Sequence, residues 1–142
     1  MFYGRAEHSI DIKGRIILPS KYRDNLGESF FIMPGFEKCL AVYTEEGFRK
    51  LEEKLLALPS SNDGGWLQRE LFNDTEQVSA DKQGRFVVPT FLREFANLKK
   101  DIMIAGASDR IEIWDLEEYK AYKERYRSNP RKLPETLGAF NL

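Results

Sequence analysis

Two arginines, Arg15 and Arg85, stand at the same place in two copies of one short pattern, Asp11-Ile12-Lys13-Gly14-Arg15 and Asp81-Lys82-Gln83-Gly84-Arg85. Each follows a glycine directly and an aspartate by four residues. A guanidinium so placed has two uses: its planar fork can donate two parallel hydrogen bonds to guanine O6 and N7, or it can close an ion pair across the turn. Lys13 and Lys82 at the turn tips carry charge suited to phosphate. Gln83, standing where the first copy has Lys13, offers an amide suited to adenine. An exposed ion pair with no further role contributes only about 0–1 kcal/mol. On the motif alone the two uses stand level. They combine if the aspartate holds the fork in one orientation, so that less side-chain entropy is lost on binding.

Other chemistry has little material. His8 is the only histidine and Cys39 the only cysteine, which leaves neither a His/Cys metal cluster nor a matched nucleophile and base. Gly64-Gly65 is not followed by a phosphate-cradling pattern. Among 23 acidic residues no pair is distinguished by its setting. The expectation is a protein with no catalytic residues, no metal and no cofactor. His8 and Cys39 then read as packing residues.

The elements that must position these residues are duplicated too. Across residues 8–26 and 78–96 six positions are identical, where average residue usage gives roughly one by chance. With a shift of one residue, absorbed by a loop, the correspondence continues: Gly35 with Gly106, Leu40 with Ile111, Val42 with Ile113, Tyr43 with Trp114 and Phe48 with Tyr119. Each copy spans about 45 residues, too few to enclose a good core alone, so the two are expected to share one. The expected fold is α+β, a pseudo-symmetric core flanked by helices. Its expected parts are a first module over 5–48, a helical linker over 49–75, a second module over 76–119, and a helix end and tail over 120–142.

Within each copy, Asp first and Gly last mark a turn between two short strands, read as His8 to Asp11 with Arg15 to Leu18, and Gln77 to Asp81 with Arg85 to Val88. That pairing would make a hairpin in each copy. The three successive apolar residues after each arginine suggest a strand covered on both faces. Pro19 and Pro89 then open short helices, to Asn25 and Asn97, the first ended by Gly27. Two strands follow (Ser29 to Met33 and Cys39 to Tyr43; Asp101 to Ala105 and Arg110 to Trp114), and then a helix with Thr44 or Asp115 as N-cap. Glu118 three residues after Asp115 suggests a capping box. Pro59 to Gly65 reads as a linker, Trp66 to Phe72 as a short helix, and the tail from Ser128 as irregular.

At 142 residues, 42% hydrophobic and 32% charged, the chain has the composition of one globular unit. Its longest apolar stretch, Phe30 to Phe36, is interrupted by Pro34 and far shorter than the ~20 residues of a spanning helix. A single cysteine fits a reducing cytoplasm. The net charge of -1 argues against nucleic acid at first sight. Its distribution points the other way: residues 1–27 carry +2 and 78–100 carry +3, while 28–77 carry -5. Both motif copies are locally basic.

The opening Met1-Phe2-x-Gly4, the run Asp11-x-Lys13-Gly14-Arg15-x-x-x-Pro19 and the second Asp81-x-x-Gly84-Arg85 resemble the MraZ family of bacterial transcriptional regulators, built from two swapped-hairpin modules of the SpoVT/AbrB type. The likeness covers nearly the whole chain. It implies a β-barrel-like double core, ring-shaped homo-oligomers, and binding of double-stranded DNA at repeated promoter boxes of the cell-division and cell-wall gene cluster. It places Asp11, Arg15, Asp81 and Arg85 in the DNA-facing loops; Lys13, Lys82 and Gln83 join them by charge and position. The expected setting is the cytoplasm, at the nucleoid, with neither a membrane nor a small-molecule substrate as partner. The rival expectation is an antitoxin-like protein-interaction module on the same scaffold, disfavoured by a short tail without strong amphipathic pattern.

Overall fold

The first two strands of each copy take their partners from the other copy. In the computed structural model, which describes residues 1–142, the first copy supplies β1 (Arg5–Ser9), β2 (Arg15–Ile17), α1 (Ser20–Leu26), β3 (Ser29–Pro34), β4 (Leu40–Thr44) and α2 (Glu45–Leu56). After α3 (Asn62–Asn73) the second supplies β5 (Glu76–Ser79), β6 (Arg85–Val87), α4 (Thr90–Phe95), β7 (Asp101–Gly106), β8 (Ile111–Asp115) and α5 (Leu116–Arg127). A last helix, α6, covers Lys132–Ala139.

Six strands form one antiparallel sheet in the order β1-β7-β8-β4-β3-β5, and β2 pairs with β6 in a separate two-stranded ribbon. Exchanging the copies reverses the sheet order and maps it onto itself. The pseudo-twofold axis runs between β4 and β8 and through the pair Ile16–Phe86 at the centre of the ribbon. The expected hairpins are therefore corrected: β1 pairs with β7 and β2 with β6, while each Asp-to-Gly turn joins strands that belong to different sheets. The outer strands also begin and end earlier than expected, at Arg5–Ser9 and Glu76–Ser79.

Alternation along the strands fills two layers of core. Phe30, Ile32, Leu40, Val42, Ile102, Ile104, Ile111 and Ile113 face a central cluster shared with ribbon residues Ile16, Leu18, Phe86 and Val88 and with Tyr22 and Leu92 of the short helices. On the other face, Met33, Ala41 and Tyr43 pack with Phe48, Leu55 and Leu71, and Met103 and Trp114 pack with Cys39, Leu116 and Tyr119. It is thus β3, β4, β7 and β8 that are covered on both sides. The ribbon strands are covered on one side only, contrary to expectation, for Ile17 and Val87 remain 47% and 52% exposed. A run of three apolar residues spans both faces of a strand and does not by itself say that both are buried.

The helix ends follow local chemistry. Thr44 Oγ1 accepts from the Gly47 N–H at 2.9 Å, and Asp115 accepts from the Glu118 N–H at 3.2 Å, so both expected N-caps form. The reciprocal half of the capping box does not: the Glu118 carboxylate instead accepts from Lys38 and Asn97. Helix α3 starts at Asn62 and takes Gly64 and Gly65 into its first turn, so the linker is shorter than its composition suggests. These glycines pass so close to the carbonyls of Pro59 and Ser60 that a Cβ would collide. Gln68 of α3 then donates to the Leu55 and Leu58 carbonyls, closing the end of α2.

The tail contains α6, which the sequence reading left irregular. Pro134 hid it, although in the first turn of a helix a missing N–H costs nothing. No helix of the structure is long and apolar enough to cross a membrane.

Candidate nucleic-acid interface

Each turn is organised by its aspartate. Asp11 Oδ1 accepts from the backbone N–H groups of Lys13 and Arg15, both at 2.9 Å, and Oδ2 accepts from Arg15 Nε at 2.6 Å. Asp81 repeats the arrangement with Gln83 N and Arg85 N at 2.9 Å and Arg85 Nε at 2.8 Å. Donation into the carboxylate, led by the backbone N–H of Arg15 or Arg85, holds each aspartate below its usual carboxylate pKa. Both carboxylates therefore stay charged through neutral pH. Because the arginine engages through Nε, its two terminal nitrogens make no hydrogen bond within the protein. They form a fork of fixed plane, about two-fifths exposed, with donors to spare.

The turns also need their glycines. A bond from Gly14 N to Asp11 O at 2.9 Å, repeated from Gly84 N to Asp81 O at 2.9 Å, closes each turn, and each glycine lies at φ +80°. That region suits glycine alone without strain. Opposite copies then lock together: Val88 N donates to Gly14 O at 2.8 Å, and Leu18 N donates to Gly84 O at 2.9 Å. Beneath Gly14 lies the guanidinium of Arg93, and beneath Gly84 that of Arg23. The helix of one copy thus supports the turn of the other. Each arginine stands four residues after the proline that opens its helix. The structure shows packing, with Arg23 Nε bound to Leu18 O at 2.9 Å and Arg93 bound to Thr90 Oγ1 at 2.9 Å.

Ribbon register brings the two forks together. Arg15 lies opposite Val87 and Arg85 opposite Ile17, so the arginines are diagonal neighbours on the outward face, roughly 7–8 Å apart at their bases. A groove of about 500 Å³ is lined by both arginines with Asp11, Ile17, His8 and Lys100. Lys100, not singled out from sequence, adds a cation there; only its place after the second motif copy, in a locally basic stretch, hinted at it. Burial lowers the His8 pKa, so its ring is neutral at neutral pH. Lys13, Lys82 and Gln83 are exposed and make no side-chain bond, which leaves both tips free.

Nucleophilic chemistry has no foothold at Cys39, which is fully buried with its thiol pushed up to about 12, chiefly by desolvation.

A family model described as "MraZ protein, putative antitoxin-like" matches residues 1–65 and 71–138. Similar over its full length is a protein of Heliobacterium modesticaldum named "Transcriptional regulator MraZ", 43% identical with all of both chains covered. A protein of the same name from Acetivibrio thermocellus is 39% identical, again with both chains fully covered. One from Clostridium tetani is 45% identical over 87% of this chain and 88% of its own.

Proposed function

The chain belongs to the MraZ family, and from that premise we propose that it is a transcriptional regulator that reads double-stranded DNA with the β2–β6 ribbon. One observation carries the reading: both arginine forks are anchored through Nε by an aspartate, share one outward ribbon face, and keep their terminal nitrogens unspent. A two-stranded ribbon fits the major groove, about 12 Å wide, where such a fork matches guanine O6 and N7. Forks rooted roughly 7–8 Å apart span about two base steps, which favours a guanine-rich box. Lys13 and Lys82 would meet phosphates on either side, while Gln83 would make the two ends of the ribbon unequal.

A single ribbon with net charge -1 behind it would bind weakly. Ring-shaped self-association solves this, since linked ribbons on repeated promoter boxes gain through effective concentration. The regulated boxes are those of the cell-division and cell-wall gene cluster, and the working place is the cytoplasm, at the nucleoid. Neither cofactor, membrane nor small-molecule substrate enters this mechanism, and it requires no catalysis.

The test uses a duplex selected by the protein from a random pool. Arg15→Ala should weaken its binding roughly 10- to 100-fold, the worth of one bidentate base contact, with size-exclusion behaviour unchanged. Undiminished affinity would remove Arg15 from the interface. Affinity should also fall steeply with salt, and a flat response would contradict phosphate contact.

The antitoxin-like alternative gains one observation. Leu133 and Leu137 of α6 and Phe140 at its C-terminal end stay 48%, 39% and 72% exposed, a face fit for a protein partner. Loss of assembly in Leu137→Glu/Phe140→Glu would assign that face to a second copy. Unchanged assembly with unchanged DNA binding would leave it for a foreign protein.

A further inference from the structure

At the first central position of turn one stands Ile12, 98% exposed. Single exposed apolar side chains are common, so exposure alone decides nothing. Position decides more. The shape of the turn is set by Asp11, which holds Lys13 N and Arg15 N, and by Gly14, which takes the positive φ. Ile12 contributes to neither, and its β-branched side chain is a poor choice for a turn. In the twofold-related turn, closed by bonds of the same length, the same place holds Lys82. Fold requirements therefore do not explain an isoleucine there.

We propose that Ile12 is a specificity-determining residue whose side chain contacts the C5-methyl of a thymine next to the base read by Arg15. This rests on the DNA-reading function above. In the major groove the thymine methyl is the one apolar feature among the edges of the four bases, and apolar side chains recognise it. Ile12 is followed by Lys13 and, three residues on, by Arg15, and an apolar protein partner would have to desolvate both charges. Duplex DNA neutralises those charges while presenting the methyl beside them. The structure thereby gives the ribbon a direction. The Ile12-Lys13 tip selects thymine at its end of the box, and the Lys82-Gln83 tip, with no apolar group, does not. A pseudo-twofold module then reads a site without twofold symmetry.

The experiment takes the duplex selected from a random pool and replaces each thymine in turn by deoxyuridine, which removes only the methyl. For the wild-type chain one replacement per box should weaken binding about 3- to 5-fold, the scale of one buried methyl group. In Ile12→Ser that position should become indifferent to the methyl, overall affinity should drop by the same factor, and other positions should be unaffected. Thermal stability should not change, because nothing packs on Ile12. A bound duplex with no methyl whose effect depends on Ile12 overturns this inference and leaves DNA reading intact. Failure to select any duplex overturns both. A change in oligomer size with unchanged DNA affinity would place Ile12 against a second copy and also overturn it.

Discussion

Gly14→Ala tests the lock between the two copies and its cost follows from the geometry. At φ +80° an L-residue loses roughly 1–2 kcal/mol relative to glycine. The gain of up to ~1 kcal/mol that Gly→Ala brings by stiffening the unfolded chain does not apply where the native φ is incompatible. The new Cβ would stand 2.6 Å from Cζ of Arg93, so the guanidinium must move. Its Nε is already buried without a partner, and its bond to Thr90 would be lost, about 1 kcal/mol more. The expected total is about 2–3 kcal/mol, or a fall in Tm of roughly 6–12 °C for a chain of this size. The assay is urea and thermal unfolding at fixed protein concentration, in a double-mutant cycle with Arg93→Ala. Removing the arginine relieves the collision but not the backbone strain. The double variant should therefore be about 1 kcal/mol more stable than the sum of the singles, above the ~0.3–0.5 kcal/mol within which distant sites add. Strict additivity would refute the claim that Arg93 supports the turn of the opposite copy.

Two further outcomes are expected. In a pH titration followed by NMR, the Asp11 and Asp81 carboxyls should titrate below their ordinary value of 3.8; Arg15→Ala should move Asp11 back up and leave Asp81 in place. Because the folded pKa is depressed, the stability linked to each turn is complete above the unfolded value and is lost as pH falls through the folded one. Asp115 is almost wholly buried, caps α5 and accepts from both the Lys99 backbone and its ammonium. Asp115→Ala should therefore cost about 2 kcal/mol in urea unfolding, at the upper end for a lost cap, with Lys99 left mostly solvated.

The duplication made the α+β double core legible in advance, because repeats too short to fold alone must share an interior. The N-caps Thr44 and Asp115 were legible for a local reason, since a cap needs only its own next three residues. Strand partners were not. Nothing in Arg15–Ile17 distinguishes pairing with the strand seven residues upstream from pairing with its counterpart seventy residues on, and the choice is made by closure of the common core. The seven residues of the proposed interface could be named from the turn pattern. The meeting of Arg15 and Arg85 on one ribbon could not, nor could the role of Arg93 beneath Gly14, because both depend on the exchange between copies. Lys100 escaped for the same reason, as its approach to Arg15 is tertiary. Helix α6 was not legible because the tail mixes charges without a clear apolar period, and Pro134 falls in the first turn, where its missing N–H does not break a helix.

The ribbon also sets a schedule for synthesis. β2 waits for β6, and β1 waits for β7, which ends at Gly106. A ribosome adding about 5–20 residues per second needs roughly 5–20 s to make the stretch between Arg15 and Gly106. During that interval the first fork has its aspartate but no strand to hold it. Contacts this distant in sequence also slow folding of the released chain. A truncated product ending before the second copy would thus carry the first arginine without a surface on which to present it, so the face proposed to read DNA is complete only once β7 has been made.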